Sequence, residues 1–348
     1  MSSLWRRVTD LPLQVDAYSL EGLQLETNSG FQRQTTEVWL EGAEATGRGE
    51  DVSWSANAQI AFRRRGASLP LAGHYTLGEF CANLDCLDLY PEPVPDPSWR
   101  HYRRWAFESA ALDLALRQGD LGIEGVLGRH ATPLHFAVSL GLHDFAPIAE
   151  RLAIHPNMHF KLDATPEWSN ELCAKLAALG TVQIVDFKGA YVGMPVETAV
   201  DLDLYRRVLE ALPDVIVEDP HSKPAVLQLL KERGARIAWD APIHSMADVD
   251  AMPAPAVALN IKPSRFGRLQ RLFEAYDCCT ARNLPMYGGG QFELGVGRRQ
   301  IQLLASLFYP TSSNDVAPRG YHNLHVNEAR PARPVAIEAA PSGFDLRH

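Results

Sequence analysis

Residues 236–262 read RIAWDAPIHSMADVDAMPAPAVALNIK. Two short apolar runs, 236–240 and 257–262, stand at its ends, and each finishes near a charged side chain, Asp240 and Lys262. Between them, residues 245–251 have a helical composition and a Ser at the start. Strand, helix and strand in succession is a βαβ unit, and its strands pair in parallel. The same rhythm runs outward in both directions. Upstream, apolar runs fall at 134–140, 158–163, 181–187 and 214–218; downstream there is one at 285–290 and a weaker one near 315–318. Helical stretches at 170–179, 202–212, 225–233, 268–282 and 296–308 separate most of them. Seven or eight short units within about 190 residues fit a closed (β/α) barrel better than an open sheet.

The chain ahead of residue 134 has a different texture. Residues 11–25, 37–41 and 60–64 read as strands, with Asn28-Ser29-Gly30 as a turn and Gly47-Arg48-Gly49-Glu50-Asp51 as a tight loop. Arg63, Arg64 and Arg65 read as a solvated strand end or turn. Residues 74–90 read as a short helix, and 91–97 (PEPVPDP) as a breaker. A strong helix follows through Trp105, Leu112 and Leu116. Asp113 falls near its apolar face, where a carboxylate is expected to accept hydrogen bonds.

Composition narrows the function classes. The 348 residues are 46% hydrophobic and 22% charged, as in a globular chain of about two domains. Disordered, collagen-like and coiled-coil classes are excluded. No run of 18 apolar residues occurs, so no membrane association is expected. The net charge of -9 argues against a nucleic acid partner. The five cysteines form no CxxC pair, and no apolar segment follows Arg6 and Arg7. Reduced thiols and a cytoplasmic location are the expectation.

The chemistry lies at the strand ends. Lys161, Asp186, Glu218, Asp240 and Lys262 come from five consecutive units, each at or near the C-terminal end of its strand. Barrel enzymes build their sites at that end. Three converging carboxylates repel one another unless a cation lies between them. Oxygen-only ligands, with no His or Cys among them, suit Mg²⁺ rather than zinc. Strands two and six of a barrel lie roughly opposite, which places Lys161 and Lys262 on either side of the metal. A lysine beside a divalent cation and another lysine can reach its neutral form and act as a base toward a carbon acid.

These residues resemble the motifs of the enolase superfamily, and more closely its muconate-lactonizing-enzyme-like branch. The family's Lys-x-Lys is similar to His159-Phe160-Lys161, with His159 in place of the first lysine. Its metal-ligand motifs are similar to Asp186-Phe187-Lys188, Glu218-Asp219-Pro220 and Asp240-Ala241, and its sixth-strand lysine to Asn260-Ile261-Lys262. The spacings are 32 residues from Asp186 to Glu218, 22 from Glu218 to Asp240 and 22 from Asp240 to Lys262. Gly47-Arg48-Gly49-Glu50 and the helix ending before Val126-Leu127-Gly128 resemble capping-domain features, so the likeness covers nearly the whole chain. Lys188 and Ala241 depart from the family's usual residues at their positions, as His159 does.

The resemblance implies an α/β fold: a modified TIM barrel of (β/α)7β type with an N-terminal α+β capping domain. The expected division is a cap at 1–128, a barrel at 129–324 and a tail at 325–348 that packs back on the cap. It implies metal ligands Asp186, Glu218 and Asp240 for Mg²⁺, with Lys161 and Lys262 as acid and base. Arg33, His159, Lys188 and Glu293 are expected around the substrate. Asn314, Asp315, His221 and His244 carry less weight. The implied reaction is abstraction of the proton α to a carboxylate through a metal-stabilised enediolate. Racemisation or epimerisation, cycloisomerisation and an o-succinylbenzoate-synthase-like dehydration all remain open. A sugar-acid dehydratase and a non-catalytic metal-binding barrel are the alternatives. The expected partners are a small carboxylate substrate and further copies of the chain in a homo-oligomer.

Overall fold

The computed structural model describes residues 3–26, 32–91, 93–94, 96–194 and 196–347. The N-terminal part runs α1 (Ser3–Val8), β1 (Pro12–Val15), β2 (Ala17–Glu26), β3 (Gln32–Gly42), β4 (Ala45–Asp51), α2 (Ala56–Arg65), β5 (Gly73–Thr76), α3 (Leu77–Asn83), α4 (Trp99–Gln118) and α5 (Ile123–Leu127). Strands β2, β3 and β4 form an antiparallel meander, and β1 pairs with β5. The long helix α4 packs directly on β4. Two glycines make this approach possible. A Cβ on Gly47 would lie 2.2 Å from the Ala110 carbonyl oxygen, and one on Gly49 would lie 2.0 Å from that of Ala106. Residues 47–51 are therefore strand rather than the expected loop, and their glycines serve close packing rather than a turn.

Three other expectations are corrected here. Residues 60–64 belong to helix α2, not to a strand. The Ser55 hydroxyl accepts from the Ala58 N–H to start that helix, and Ala58 and Phe62 bury one face four residues apart. Arg63, in the helix's last turn, donates to the Thr35 carbonyl, the Thr36 hydroxyl and the Gln34 side chain. Of residues 74–90, only Leu77–Asn83 is α-helix, opened by a capping box between Thr76 and Glu79. The turn at Asn28-Ser29-Gly30 lies outside the described residues. Asp113 does bond as expected: buried, it accepts from the Arg48 N–H at 3.0 Å and the Phe344 N–H at 2.6 Å.

The rest of the chain alternates strand and helix: β6 (Ala137–Gly141), α6 (Ala146–Ile154), β7 (His159–Asp163), α7 (Asn170–Leu179), β8 (Val182–Asp186), α8 (Leu202–Ala211), β9 (Ile216–Glu218), α9 (Pro224–Glu232), β10 (Arg236–Trp239), α10 (Met246–Asp250), β11 (Ala258–Ile261), α11 (Pro263–Phe266), α12 (Leu269–Arg282), β12 (Met286–Gly288), α13 (Val296–Phe308) and α14 (Arg319–His322). The seven strands pair in sequential order, all parallel. The weak eighth segment closes the ring. The Asp315 N–H donates to Gly288 of β12 at 2.7 Å, and the Ala137 N–H of β6 donates to Asn314 at 2.8 Å. The result is a (β/α)7β barrel.

Strand periodicity explains why charge collects at one end. Ile184, Ile216 and Ala238 lie two residues before Asp186, Glu218 and Asp240, so each pair shares the inward face. Ile184, Ala238, Ala258 and Tyr287, with Ile216 against them, form an apolar plug inside the barrel. The polar groups sit above that plug. The outward residues Phe160, Leu162, Val185 and Val217 bury against the helices in the main core.

Cap and barrel are joined by buried polar contacts. Glu50 accepts from the Leu294, Gly295 and Gly297 N–H groups at the start of α13. Glu108 of α4 accepts from the Leu269 N–H of α12 at 2.7 Å. In the tail, Val335 bridges Leu134, and Asp345 pairs with Arg299 of α13 at 2.6 Å. Among the described residues, no helix is long and apolar enough to cross a membrane.

Candidate active site

Asp186 and Glu218 end adjacent strands and stand in register with each other. Asp240 follows the last residue of β10. All three are fully buried, and each offers an oxygen within 4.8 Å of the others. Asp219 aligns the third member. Its φ of 45° turns the chain, and its carboxylate accepts from the Asp240 and Ala241 N–H groups, both at 2.8 Å. Three carboxylates without nitrogen or sulfur donors fit a hard divalent cation such as Mg²⁺.

Each carboxylate also has basic partners. The Lys161 ammonium bonds Glu218 and lies 3.3 Å from Asp315 and 3.7 Å from Asp186. Lys262 and Arg265 take the two oxygens of Asp240, each at 2.7 Å. Lys188 bonds Asp186 and lies 3.2 Å from Asp163. Two tyrosines complete the set. Tyr287 donates to Glu218, and Tyr191 donates to Asp240 at 3.1 Å while accepting from Arg265 at 3.0 Å.

Burial and charge pull these groups apart. Burial, reinforced by Asp186 and Asp240 against the pull of Lys161, pushes the Glu218 carboxyl up to about 8. Burial also opposes ionisation of Asp240, but Arg265 and Lys262 overcome it and hold Asp240 well below the usual carboxylate range. Asp186 is lowered in the same way, with Lys188 and then Lys161 outweighing its burial. The two lysines diverge. Both lose hydration, yet Glu218 and Asp315 lift Lys161 well above its ordinary value. Lys262 is lowered by burial, which Asp240 does not offset while Arg265 and Lys161 stand nearby.

The fold thus brings Lys161, Lys188 and Lys262 to the triad. Three other expected site residues lie elsewhere, with no bond to the triad among the described residues. Arg33 is buried and donates to the carbonyls of Phe292 at 3.2 Å, Ser53 at 3.0 Å, Val52 at 2.6 Å and Gln291 at 2.8 Å. Four of the five guanidinium N–H groups are spent in this way, so Arg33 clamps the loop after β12 to the cap. His159 opens β7, a full pleat below Lys161, and bonds the Ser313 hydroxyl at 3.0 Å. Burial, with Arg333 and His135 nearby, pushes its ring down to about 4 and keeps it neutral. Glu293 is buried and accepts from the Gln291 N–H at 2.8 Å.

Other residues matter more than their sequence signal suggested. Asp315, a minor candidate, reaches Lys161. Asp163 ends β7 on the inward face, so the strand-end rule that selects Asp186 would also have selected it. Arg265 lies three residues past Lys262, in the first turn after the strand. Tyr191 and Tyr287 carry no local signal, because their partners are distant in the chain. His221 is bound by the Tyr205 hydroxyl and the Thr198 carbonyl, and His244 packs edge-on against His101.

The chain is 29% identical over 214 residues to an N-succinylamino acid racemase of Amycolatopsis, a match covering 58% of this chain and 56% of the racemase. It is 26% identical over 242 residues to the o-succinylbenzoate synthase of Bacillus subtilis, covering 66% of this chain and 63% of the synthase. The chain therefore spans less than two thirds of the length of either relative. Its fold is similar to that of muconate lactonizing enzyme from Pseudomonas putida, with a TM-score of 0.68 and 18% identity across 96% of this chain and 97% of that one. Residues 130–323 match the C-terminal domain, and residues 6–126 the N-terminal domain, of the domain of unknown function DUF8230. The chain belongs to the DUF8230 family; in sequence it is similar to a racemase and a synthase, and in fold to muconate lactonizing enzyme.

Proposed function

We propose that this protein is an enzyme that removes the proton α to the carboxylate of a small substrate, using Lys161 and Lys262 as its acid–base pair. One observation carries the reading. Two buried lysines reach the carboxylate triad from opposite strands of the ring, Lys161 from β7 at Glu218 and Lys262 from the end of β11 at Asp240. A scaffold has no need of two ammonium groups desolvated at one cluster, because burying charge is costly.

Asp186, Glu218 and Asp240 would hold Mg²⁺. Bound there, Mg²⁺ supplies positive charge opposite the negative charge that builds on the substrate carboxylate. One lysine takes the α-proton, and the other returns a proton to the opposite face. Asp240, Arg265 and Tyr191 orient Lys262, and Glu218 and Asp315 orient Lys161. The apolar plug inside the barrel lies beneath the triad and keeps water out from that side.

The racemase relative directs the choice toward an N-acylamino acid substrate and 1,1-proton transfer. The synthase relative supports a second reading, elimination from a succinyl-bearing carboxylate. Incubation with Mg²⁺ in D₂O tests both. Each enantiomer of a panel of N-succinylamino acids should lose its α-proton signal by NMR, whereas elimination would show as a new unsaturated product. An enzyme that binds Mg²⁺ yet exchanges no α-proton across α-substituted carboxylates would overturn the reading.

A further inference from the structure

Residue 188 occupies both oxygens of a triad carboxylate. Its backbone N–H donates to Asp186 Oδ1 at 2.9 Å, and its ammonium donates to Oδ2. A φ of 54° turns the chain so that the side chain folds back over the residue two before it. The same ammonium lies 3.2 Å from Asp163 Oδ1, at the end of the neighbouring strand. Asp163 and Asp186 stand in register on β7 and β8, so the ammonium bridges a pair of adjacent carboxylates. Its side chain is 20% exposed, which leaves it a path to move. A monovalent and a divalent cation cannot both sit on one carboxylate oxygen without strong repulsion.

We propose that Lys188 is a built-in counter-cation that competes with the divalent cation for Asp186, and that Asp163 is the berth it keeps when that cation binds. The inference rests on reading Asp186, Glu218 and Asp240 as metal ligands. Without metal, Lys188 neutralises Asp186 and holds the strand end in place. When the metal is loaded, the Asp186 contact is given up and the Asp163 contact remains. Divalent-cation affinity is then set by the balance between two carboxylates for one lysine.

Calorimetric titration of the metal-stripped protein with MgCl₂, and separately with MnCl₂, tests this on the wild type and on variants that move the balance in opposite directions. K188N, whose new residue tolerates the left-handed backbone, should bind either ion about 10–100-fold more tightly, the size of effect seen when groups around metal ligands are changed. D163N leaves the ammonium no other carboxylate and should bind more weakly than wild type. The double variant should behave as K188N. K188M gives the same sign and stands in if K188N fails to fold. Affinity within threefold of wild type in K188N and K188M, or tighter binding in D163N, would overturn the proposal. E218Q separates it from its premise. Undiminished binding in E218Q means the triad is not the metal site. Lost binding in E218Q with no change in K188N means that only the Lys188 inference is wrong.

Discussion

Replacing Lys262 with Met should separate the chemical work of that lysine from its structural work. The methionine keeps most of the volume and removes the ammonium. Asp240 loses one partner at 2.7 Å but keeps Arg265 at 2.7 Å and Tyr191 at 3.1 Å, so it is not left as a bare buried charge. The folding cost is then that of one hydrogen bond to a charged group, about 1.5–3 kcal/mol. Loss of a general base costs about 10²–10⁴-fold in rate, or roughly 2.7–5.4 kcal/mol of transition-state stabilisation. For a racemase the loss is confined to one enantiomer, because Lys161 still serves the other face. The assay follows the α-proton signal of each enantiomer separately in D₂O, with a urea melt and a Mg²⁺ titration on the same preparation. Lys262→Met should stop exchange from one enantiomer, and Lys161→Met from the other. If the reaction is an elimination, only one of the two substitutions should stop exchange. The reasoning is refuted if either variant exchanges both enantiomers within about threefold of wild type, a change under roughly 0.7 kcal/mol.

Three further outcomes are expected. Glu218→Gln and Asp240→Asn should each weaken calorimetric Mg²⁺ binding at least tenfold, since each removes one of three oxygen donors; binding equal to wild type would exclude the triad. Gly49→Ala places a Cβ 2.0 Å from the Ala106 carbonyl and should cost about 1–3 kcal/mol or more by urea denaturation; an unchanged midpoint would show that α4 does not lie this close to β4. His159 and His322 are held at about 4, His159 by burial with Arg333 and His135, and His322 by burial with Arg298. The unfolded chain takes up these protons near pH 6.5 but the fold only near pH 4, so their contribution is present above pH 6.5 and is lost as pH falls toward 4. Both rings are partly exposed, which reduces the effect to about 1 kcal/mol each. A His159→Asn/His322→Asn double variant should lose less stability than wild type between pH 7.5 and 4.5, and equal losses would contradict this account.

Much of the barrel and its chemistry was legible in the chain. A charged residue that ends an apolar strand, on the same inward face as an apolar residue two before it, has no place but the mouth of the barrel. This repeats at Asp186, Glu218 and Asp240, so local periodicity located the triad without any knowledge of pairing. The cap was less legible. The glycines at 47 and 49 read as a turn because a turn is the common local reason for glycine; here the reason is α4, more than fifty residues away. Residues 60–64 form too short a window for period 2 and period 3.6 to differ, and Ser55 and Phe62, just outside and within it, decide for helix. Arg33, which follows Asn28-Ser29-Gly30 in the sequence, gave no local sign of its partners, four carbonyls from two distant segments that bury it.

By itself, the sequence determined the parallel strand order, the inward-facing carboxylates and the two lysines that accompany them, because side-chain direction in a strand follows from position alone. Only the tertiary structure decided which cation meets which carboxylate. Lys161 joins Glu218, Lys262 and Arg265 join Asp240, and Lys188 lies between Asp186 and Asp163. Most of those partners stand on different strands, and closing the ring brings them within hydrogen-bonding distance. In a desolvated pocket, Coulomb energy depends on the separations that closure creates rather than on spacing along the chain.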